Sequence, residues 1–176
     1  QLLTTPSASE GKLCSQPTKP DGDRKKVVVL HRSKSRQIRN FDVLLKTLRL
    51  EINDMKFEEM QGVVLDDLSV DESACLLKDA CGIIGGHGGQ LTNMIFLPIG
   101  SAVVEIIAPG QVGRVYGPLA RRLGLEYLST EPHTRKIGSK NHNADVNITN
   151  VTEVSDAVKK MLRLTCANLT MRWDGL

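Results

Sequence analysis

The sequence predicts an α/β fold, a Rossmann-like parallel sheet with helices on both faces. Short apolar runs rich in β-branched residues alternate with segments of helical periodicity along most of the chain. These runs are continuously apolar, as is typical of parallel strands covered on both faces. Polar or glycine-rich turns follow the runs, where open α/β sheets bind their ligands. The pattern therefore predicts both the architecture and the edge of the sheet that carries function.

The first half of the chain reads as strand, helix, strand, helix. The predicted elements are a strand at Val27–Leu30, a helix at Phe41–Leu50, a strand at Gln61–Leu65 and a helix at Glu72–Ala80. Asn40 is expected to cap the first helix, and Ser69 or Asp71 the second. The order of these elements predicts two strand–helix units of one parallel sheet.

The second half continues the alternation. The predicted elements are a strand closed by Gly85-Gly86, a short helix carrying Leu91, Met94, Ile95 and Leu97, a strand at Ala102–Ile107, a helix at Tyr116–Leu123, a strand at Leu125–Leu128, a polar loop over 131–144, a short edge strand at Asp145–Ile148 and a last helix at Val151–Leu164. Pro98 and Gly100 are expected to end the short helix.

The composition favours one soluble globular domain. The chain has 176 residues, 40% of them apolar, and no apolar run approaches the ~20 residues that span a membrane. Residues 1–24 are rich in Pro, Ser, Thr and Gly and predict a linker. We expect a Rossmann-like domain over 25–165 and a C-terminal tail over 166–176.

The charge pattern gives little support to a nucleic-acid partner. Net charge is only +3, although seven basic residues lie between Arg24 and Arg39. Aromatic residues make up 3% of the chain, which leaves almost no surface on which bases could stack. We therefore expect no nucleic acid, although binding of a duplex by charge alone stays open.

Four glycines flank His87 where a buried strand passes into a helix. Glycine allows backbone to approach a ligand closely, and a helix N-terminus offers free N–H groups to an anion. Thr92 and Asn93 lie about one turn into this helix and can add side-chain hydrogen bonds. The turn therefore predicts a phosphate site around Gly88 and Gly89. The alternative is that the glycines only let helix and sheet pack closely; neither G-x-G-x-x-G nor a P-loop is present.

Two segments resemble the signature of glycosyltransferase family 61. The first reads GGHGGQLTNMIFLPIGSAVVEI, and the second, upstream, reads HRSKSRQIRN. Both occur in the family's order and at about its separation, and the resemblance covers about residues 26–130. Gly89 stands where the family has alanine, and Gln90 stands where it has glycine. A larger polar side chain therefore enters the turn.

The resemblance implies an inverting glycosyltransferase that moves a sugar from a UDP-sugar to a glycan or glycoprotein acceptor. Family members resemble two-domain GT-B proteins, so we expect this chain to be the C-terminal, donor-binding half of a longer protein whose membrane anchor lies elsewhere. The alternative is a nucleotide-binding fragment, or an inactive Rossmann-like module, without transfer activity of its own. The sugar, the acceptor and the general base are not readable from the sequence.

The resemblance also suggests roles for individual residues. Arg36 and then Arg32 are expected to bind the diphosphate, together with His87, Gly88, Gly89, Thr92 and Asn93, which is a set of basic, backbone and hydroxyl donors. Glu105 lies in an otherwise apolar strand and is the candidate ribose ligand, with Asp66 after the second strand as another nucleotide contact. The alternatives are a solvated basic loop, a structural His87, an ion pair of Glu105 with an arginine, and an acidic loop at Asp66.

The remaining motifs concern metal, cysteines and glycosylation. Asp21-Gly22-Asp23 lies in the predicted linker and Asp66-Asp67 are adjacent, so we expect no obligatory metal or other cofactor beyond the UDP-sugar substrate. Cys75 and Cys81 are expected to be small buried apolar residues, and a Cys14–Cys166 disulfide is permitted. Three glycosylation sequons, at Asn147, Asn150 and Asn168, favour a Golgi or endoplasmic-reticulum lumen, or secretion.

Overall fold

The computed structural model describes residues 26–52, 59–108, 115–130, 134–137, 145–148 and 150–165. The predicted linker over 1–24 and the predicted tail over 166–176 lie outside these ranges. Among the described residues, no helix combines the length and the apolar character that a membrane crossing requires.

Five parallel strands form one sheet in the order β2-β1-β3-β4-β5. Their bounds are β1 Lys26–His31, β2 Glu59–Val64, β3 Ala80–Gly86, β4 Ala102–Ile106 and β5 Glu126–Thr130. The three central strands, β1, β3 and β4, are almost fully buried because helices cover both faces, which explains their continuous apolar sequence. The parallel sheet that the sequence predicts is confirmed.

Helices cover both faces of this sheet. Their bounds are α1 Phe41–Ile52, α2 Val70–Leu77, α3 Tyr116–Arg122 and α4 Val151–Thr165, with a 3-10 helix at Gly89–Phe96 and a 3-10 turn at Leu65–Asp67. One core cluster joins the sheet to α1 and α4, and a second joins it to α2, α3 and the 3-10 helix. The predicted three-layer α/β architecture is therefore confirmed.

The strand order places a topological switch point between β1 and β3. The chain passes outward from β1 to β2 and, after returning to β3, passes outward in the other direction to β4 and β5. The loops that leave β1 and β3 therefore diverge, and the space between them is where ligands bind in open α/β sheets. The loop after β1 carries Arg32 and Arg36, and the turn after β3 carries His87 and Gly88.

Three predicted elements differ from the structure. The segment after β3 is a 3-10 helix, and the side chains of Thr92 and Asn93 donate hydrogen bonds to the carbonyls three residues back, at 2.7 and 2.9 Å. The predicted polar loop over 131–144 contains a strand, β6 (Thr134–Ile137). The predicted edge strand is confirmed as β7 (Asp145–Ile148), but it pairs with β6 in a separate antiparallel ribbon.

The helix caps show which polar side chains are used locally. Ser69 caps α2 in a reciprocal capping box with Glu72, which selects between the two predicted caps. The backbone of Asn40 starts α1, since its carbonyl accepts from Leu44 N, but its side chain bonds the backbone of Ile148 in both directions, at 2.7 and 2.9 Å. The predicted side-chain cap by Asn40 is therefore wrong.

The expectation for Cys75 and Cys81 is also wrong. Both cysteines are disulfide-bonded, and the described part of the chain contains no free cysteine. The periodicity that predicted buried apolar positions carries no information on pairing, because a half-cystine and a buried free cysteine occupy similar sites. The Cys14–Cys166 disulfide that the sequence permits lies outside the described residues.

Candidate functional site

The loops after β1 and β3 meet at Gly88. A Cβ built on this glycine would lie 2.4 Å from Nη1 of Arg32 and 3.6 Å from Cζ of Arg36. Gly88 also has a φ of 158°, a conformation that other residues rarely adopt. The backbone conformation therefore favours glycine here, and a side chain at this position would also displace the guanidinium of Arg32. The sequence-predicted arginines and glycine turn are brought together at the switch point.

The arginine pair, Arg32 and Arg36, has hydrogen-bond donors without partners. Nε of Arg32 donates to the carbonyl of Ser35 at 2.8 Å, but its Nη1 is buried and has no partner. Nε of Arg36 is likewise buried without a partner. Within the described residues, neither guanidinium forms an ion pair. Since buried cationic donors are costly when unsatisfied, this pair is poised to accept an anion.

Arg36 holds a strained backbone conformation. Its φ of 57° makes it the only non-glycine residue with positive φ in the described part of the chain. A left-handed conformation costs an L-residue roughly 1–2 kcal/mol. Strain of this kind persists where surrounding structure imposes it, and it concentrates at ligand-binding sites. The conformation of Arg36 is therefore set by its surroundings.

A buried carboxylate contacts His87, the residue before Gly88. Glu105 is 0% exposed; one of its oxygens accepts a hydrogen bond from Nδ1 of His87, and the other accepts one from the hydroxyl of Tyr127. We call these three residues the Glu105 network. The considered ion pair of Glu105 with Arg32 or Arg36 is not the pairing observed. Because this carboxylate is fully buried, a ribose hydroxyl would reach it only if the side chains around it moved.

The network defines which nitrogen of His87 is available to a ligand. A carboxylate that accepts from Nδ1 requires the proton on that nitrogen. Nε2 is then the remaining nitrogen, and the imidazole is held in a fixed orientation by a buried partner. The side chain of His87 is 17% exposed, so the ring is still reachable from solvent. The arrangement can present either a lone pair or, on protonation, a second donor.

The two tyrosines of the chain both lie at this site, and sequence reasoning missed both. Tyr116, at the start of α3, packs edge-on against His87 with ring centroids 5.5 Å apart. Burial raises the pKa of Tyr116, and Glu105 raises it further, while Arg36 and Arg32 oppose the shift. Tyr116 therefore lies within electrostatic reach of both clusters. Only the scarcity of tyrosine could have drawn attention to these positions.

Burial also raises the pKa of the Tyr127 phenol well above its usual range, and the hydrogen bond to Glu105 adds to the effect. The phenol thus stays protonated and donates to the carboxylate. Gly117 packs beneath this ring, since a Cβ there would lie 3.0 Å from it. Tyr127 is consequently a fixed part of the network.

The other predicted site residues lie near the same edge. Thr92 is exposed and Asn93 is half-buried, and both side chains donate back to the 3-10 helix as described above. A Cβ on Gly89 would meet nothing within 4 Å, which agrees with alanine at this place in the family signature. Asp66 is exposed after β2, and the hydroxyl of Ser33 lies 3.5 Å from its carboxylate. Their contacts with a nucleotide stay predictions.

The structure describes only some of the residues on which the metal and glycosylation predictions depend. Within the described ranges, no group of three or more His, Cys, Asp and Glu side chains is arranged to hold a metal ion. Asn147 lies on β7, and Asn150 caps α4 by accepting from Glu153 N at 3.2 Å. Asn168 lies outside the described residues. Glycosylation at all three sequons stays a prediction.

Fold and site together define an α/β domain whose candidate site, with unpartnered arginine donors, lies at its switch point. The family model for Glycosyltransferase 61 matches residues 3–104, more than half of the chain. The chain belongs to glycosyltransferase family 61, a family of transferases, and the resemblance noted in the sequence is confirmed. Residues 3–104 include both the arginine pair and the glycine turn, so the family signature and the candidate site coincide.

Two relatives are named as EGF domain-specific O-linked N-acetylglucosamine transferases. The protein from Bos taurus is 32% identical over 117 residues, which cover 62% of this chain and 20% of the relative. The protein from Drosophila melanogaster is 32% identical over 116 residues, which cover 65% of this chain and 21% of the relative. The chain thus spans about a fifth of the length of these relatives.

Solved structures with a similar shape are flavodoxin-like. A diflavin flavoprotein A3 from Nostoc sp. has a TM-score of 0.49 at 16% identity, with 80% of this chain and 95% of that chain covered. A flavo di-iron protein from Thermotoga maritima has a TM-score of 0.49 at 19% identity, with 81% and 37% covered. At these scores and identities the likeness says nothing about ligand or activity.

Proposed function

We propose that this chain is the donor-binding half of a GT-B type glycosyltransferase, and that it holds the diphosphate of a UDP-sugar. The observation that carries the proposal is the arginine pair, whose unpartnered donors lie against the backbone of Gly88 at the switch point. Two guanidinium groups match the two phosphates of a nucleoside diphosphate in charge and in hydrogen-bonding geometry. Membership of family 61 supports the same ligand class.

The same groups can assist the transfer step. When the bond between the anomeric carbon and the diphosphate oxygen breaks, the electron pair stays on the leaving group, whose negative charge grows. Preorganised cations and N–H dipoles stabilise that charge without having to reorganise. In this proposal Arg32, Arg36 and the backbone around Gly88 perform this role, with Thr92 and Asn93 at the start of the 3-10 helix. These fixed hydrogen-bond donors would accelerate the step because they bind the departing diphosphate more tightly than they bind the intact UDP-sugar.

His87 is proposed to contact the diphosphate or a sugar hydroxyl through Nε2. Its Nδ1 is held by Glu105, so the ring is oriented before a ligand arrives. This changes the role that we propose for Glu105 from direct ribose contact to orientation of His87. Asp66 is then the remaining candidate for ribose or base, since it lies exposed at the same edge.

Inversion requires the acceptor oxygen to attack from the face opposite the diphosphate while a base removes its proton. We assign no residue of this chain as that base, and we propose that the acceptor half supplies it. The names of the relatives suggest N-acetylglucosamine as the sugar and an EGF domain as the acceptor to test first. Disulfide-bonded Cys75 and Cys81 support a lumenal or secreted location, because the cytosol keeps thiols reduced.

Isothermal titration calorimetry with UDP tests the binding step. We expect the wild-type chain to bind UDP and Arg36→Ala to weaken binding at least about tenfold, since one charge-assisted hydrogen bond contributes roughly 1.5–3 kcal/mol. Arg122→Ala is the matched control, because it removes the same charge from an exposed position of α3. Equal affinity of the Arg36 and Arg122 variants would refute the proposal.

A second measurement separates transfer from binding alone. UDP release from UDP-N-acetylglucosamine is followed with and without a folded EGF domain. Turnover would make this chain an active transferase, whereas UDP binding without release would make it a nucleotide-binding module. The small share of the relatives that the chain spans favours the second outcome for the isolated chain. Absence of any UDP affinity would leave only a structural or interaction role.

A further inference from the structure

We propose that Asp145, on β7, is a positioning residue that holds the arginine-bearing loop in its ligand-binding shape. The inference rests on the proposed function, because it concerns the conformation of Arg36 within the diphosphate site. Asp145 lies 108 residues beyond the loop in sequence, in the separate antiparallel ribbon. The ribbon therefore contributes to the site without contacting the ligand.

Asp145 binds the loop with both oxygens of its carboxylate. Oδ1 accepts the backbone N–H of Gln37 at 2.9 Å, and Oδ2 pairs with Nη2 of Arg39 at 2.6 Å. The Asp145 side chain is only 14% exposed, so the interaction with the backbone is partly shielded from water. One side chain thus attaches the loop at two points, immediately after Arg36 and shortly before α1.

The remainder of β7 reinforces this attachment. The backbone of Ile148 exchanges two hydrogen bonds with the side chain of Asn40, and its own side chain is buried in the core cluster shared with α1 and α4. The ribbon is consequently fixed to the domain core at one end. Because the ribbon is fixed in this way, Asp145 can restrain the position of Gln37 rather than move with it.

The hydrogen bonds within the loop cannot fix it to the rest of the domain, whereas Ile38 is held by a β-bridge and by burial of its side chain in the core. Two hydrogen bonds run within the loop itself, from Nε of Arg32 to the carbonyl of Ser35 and from the side-chain amide of Gln37 to the carbonyl of Ser33. Ile38 packs beneath the loop, 3.9 Å from a Cβ built on Gly86. Asp145 is the group that restrains the peptide N–H directly after Arg36, so its loss frees Arg36 to relax to negative φ.

Relaxation of Arg36 would carry its guanidinium away from Gly88. We therefore expect Asp145→Ala to weaken UDP binding about tenfold, as expected for the loss of one charge-assisted contact that orders the site. Asp145→Asn keeps an oxygen acceptor for Gln37 N–H and loses only the half-exposed pair with Arg39. We expect it to restore affinity to within about fivefold of wild type.

Glu51→Ala is the control for general destabilisation. Glu51 pairs with Lys159 between α1 and α4, at the end of α1 remote from the arginine loop. Its removal is expected to leave UDP affinity unchanged. If Asp145→Ala and Glu51→Ala have the same affinity for UDP while Arg36→Ala is weakened, Asp145 has no positioning role and the proposed function still stands.

A double-mutant cycle tests whether Asp145 acts through Arg36. The variant that combines Arg36→Ala with Asp145→Ala should bind UDP no more weakly than Arg36→Ala alone, because the group being positioned is already absent. Additive losses of affinity would overturn the inference, since they would require an effect of Asp145 that does not pass through Arg36.

Hydrogen exchange of residues 32–40 gives a readout that needs no ligand. Exchange of the Gln37 amide should accelerate in Asp145→Ala, recover in Asp145→Asn and stay at the wild-type rate in Glu51→Ala. Unchanged protection in Asp145→Ala would overturn the positioning role. If exchange accelerates but no form of the chain binds UDP, the proposed function fails and the structural part of the inference is retained.

Discussion

The arginine pair lies against Gly88 and the Glu105 network includes the neighbouring His87, but the two clusters differ in whether their hydrogen-bonding groups have partners within the protein. Glu105 is fully buried, and both of its oxygens accept hydrogen bonds from side chains of the same domain. Arg32 and Arg36 are half-buried and retain donors without partners. A buried charge with complete partners supports the fold, whereas a charge left incomplete by the fold is available to a ligand. Substitutions in the two clusters should therefore affect different measurements.

The largest expected effect is on stability, at Glu105. Glu105→Ala removes the acceptor for two partly buried donors and leaves a cavity at a fully buried position of β4, so we expect a loss of about 3–5 kcal/mol in the free energy of unfolding. Urea denaturation measures it. Glu126→Ala is the matched control, since Glu126 is exposed on β5, and it should change stability by less than about 0.5 kcal/mol. Similar losses for both variants would contradict the comparison.

Tyr127→Phe removes one donor from the same carboxylate. We expect a loss of about 1.5–3 kcal/mol at pH 8, because one oxygen of the buried carboxylate is left without a partner. Thermal unfolding at fixed pH checks this value. The variant should leave UDP affinity within a few-fold of wild type if the network mainly supports the fold; a loss as large as that of Arg36→Ala would contradict this division.

The raised pKa of Tyr127 also predicts a pH dependence. The folded state favours the protonated phenol, whereas the unfolded chain loses this proton near pH 10. Stability is therefore expected to fall as pH rises above about 10, since unfolding then releases protons. Tyr116 adds to the same slope, because its pKa is raised as well. Denaturation at several alkaline pH values should show a shallower fall in Tyr127→Phe than in wild type.

Gly88 and Gly89 offer a comparison of adjacent residues. A Cβ at Gly88 meets Arg32 and demands an unfavourable φ, whereas a Cβ at Gly89 meets nothing within 4 Å. We expect Gly88→Ala to lose about 1–2 kcal/mol of stability and to weaken UDP binding about tenfold. Gly89→Ala should stay within about 0.5 kcal/mol of wild type. Calorimetry measures the UDP affinity of both variants, and thermal unfolding measures their stability. Equal values for the two variants would show that the arginine pair does not require a residue without a side chain at Gly88.

Among the substitutions in the two clusters, the smallest expected loss of stability is at Arg36. Arg36→Gly relieves the left-handed backbone strain, while glycine adds entropy to the unfolded chain, so stability should stay unchanged or rise by up to about 1 kcal/mol. Affinity for UDP should nevertheless fall, because the guanidinium is gone. Paired unfolding and calorimetry test this separation. A marked destabilisation would show that Arg36 supports the fold in the way Glu105 does.

Much of the fold was readable because it depends on local pattern. The continuous apolar runs of β1, β3 and β4 and the capping box at Ser69 follow from side-chain chemistry within a few residues. The segment after β3 is a 3-10 helix, in which backbone N–H groups bond carbonyls three residues back, and hydrophobic spacing alone did not distinguish this from an α-helix. Strand β6 was missed because its polar sequence pairs with β7 rather than with the core.

The candidate site was predicted only in part, because only some of its contacts depend on local sequence pattern. Arg32, Arg36, His87 and Gly88 lie in turns that follow strands, so strand order alone brings them to one edge. Tyr116, Tyr127 and Asp145 come from later elements, and their contacts span between 22 and 108 residues of sequence where a hydrogen bond defines them. No local spacing encodes such contacts. The partners of Glu105 were therefore inferred incorrectly, although its need for partners was recognised.

By itself the sequence determined the class of fold and the edge of the sheet that carries the candidate site, because hydrophobic periodicity and turn chemistry are local properties of the chain. The family followed from the resemblance of two segments to its signature. Only the tertiary structure decided which charges are completed by the protein and which are left open. Glu105 finds His87 and Tyr127, while the arginine pair keeps free donors beside Gly88. The physical reason is that satisfaction of a buried charge depends on groups from several elements, and their proximity exists only after the chain has folded.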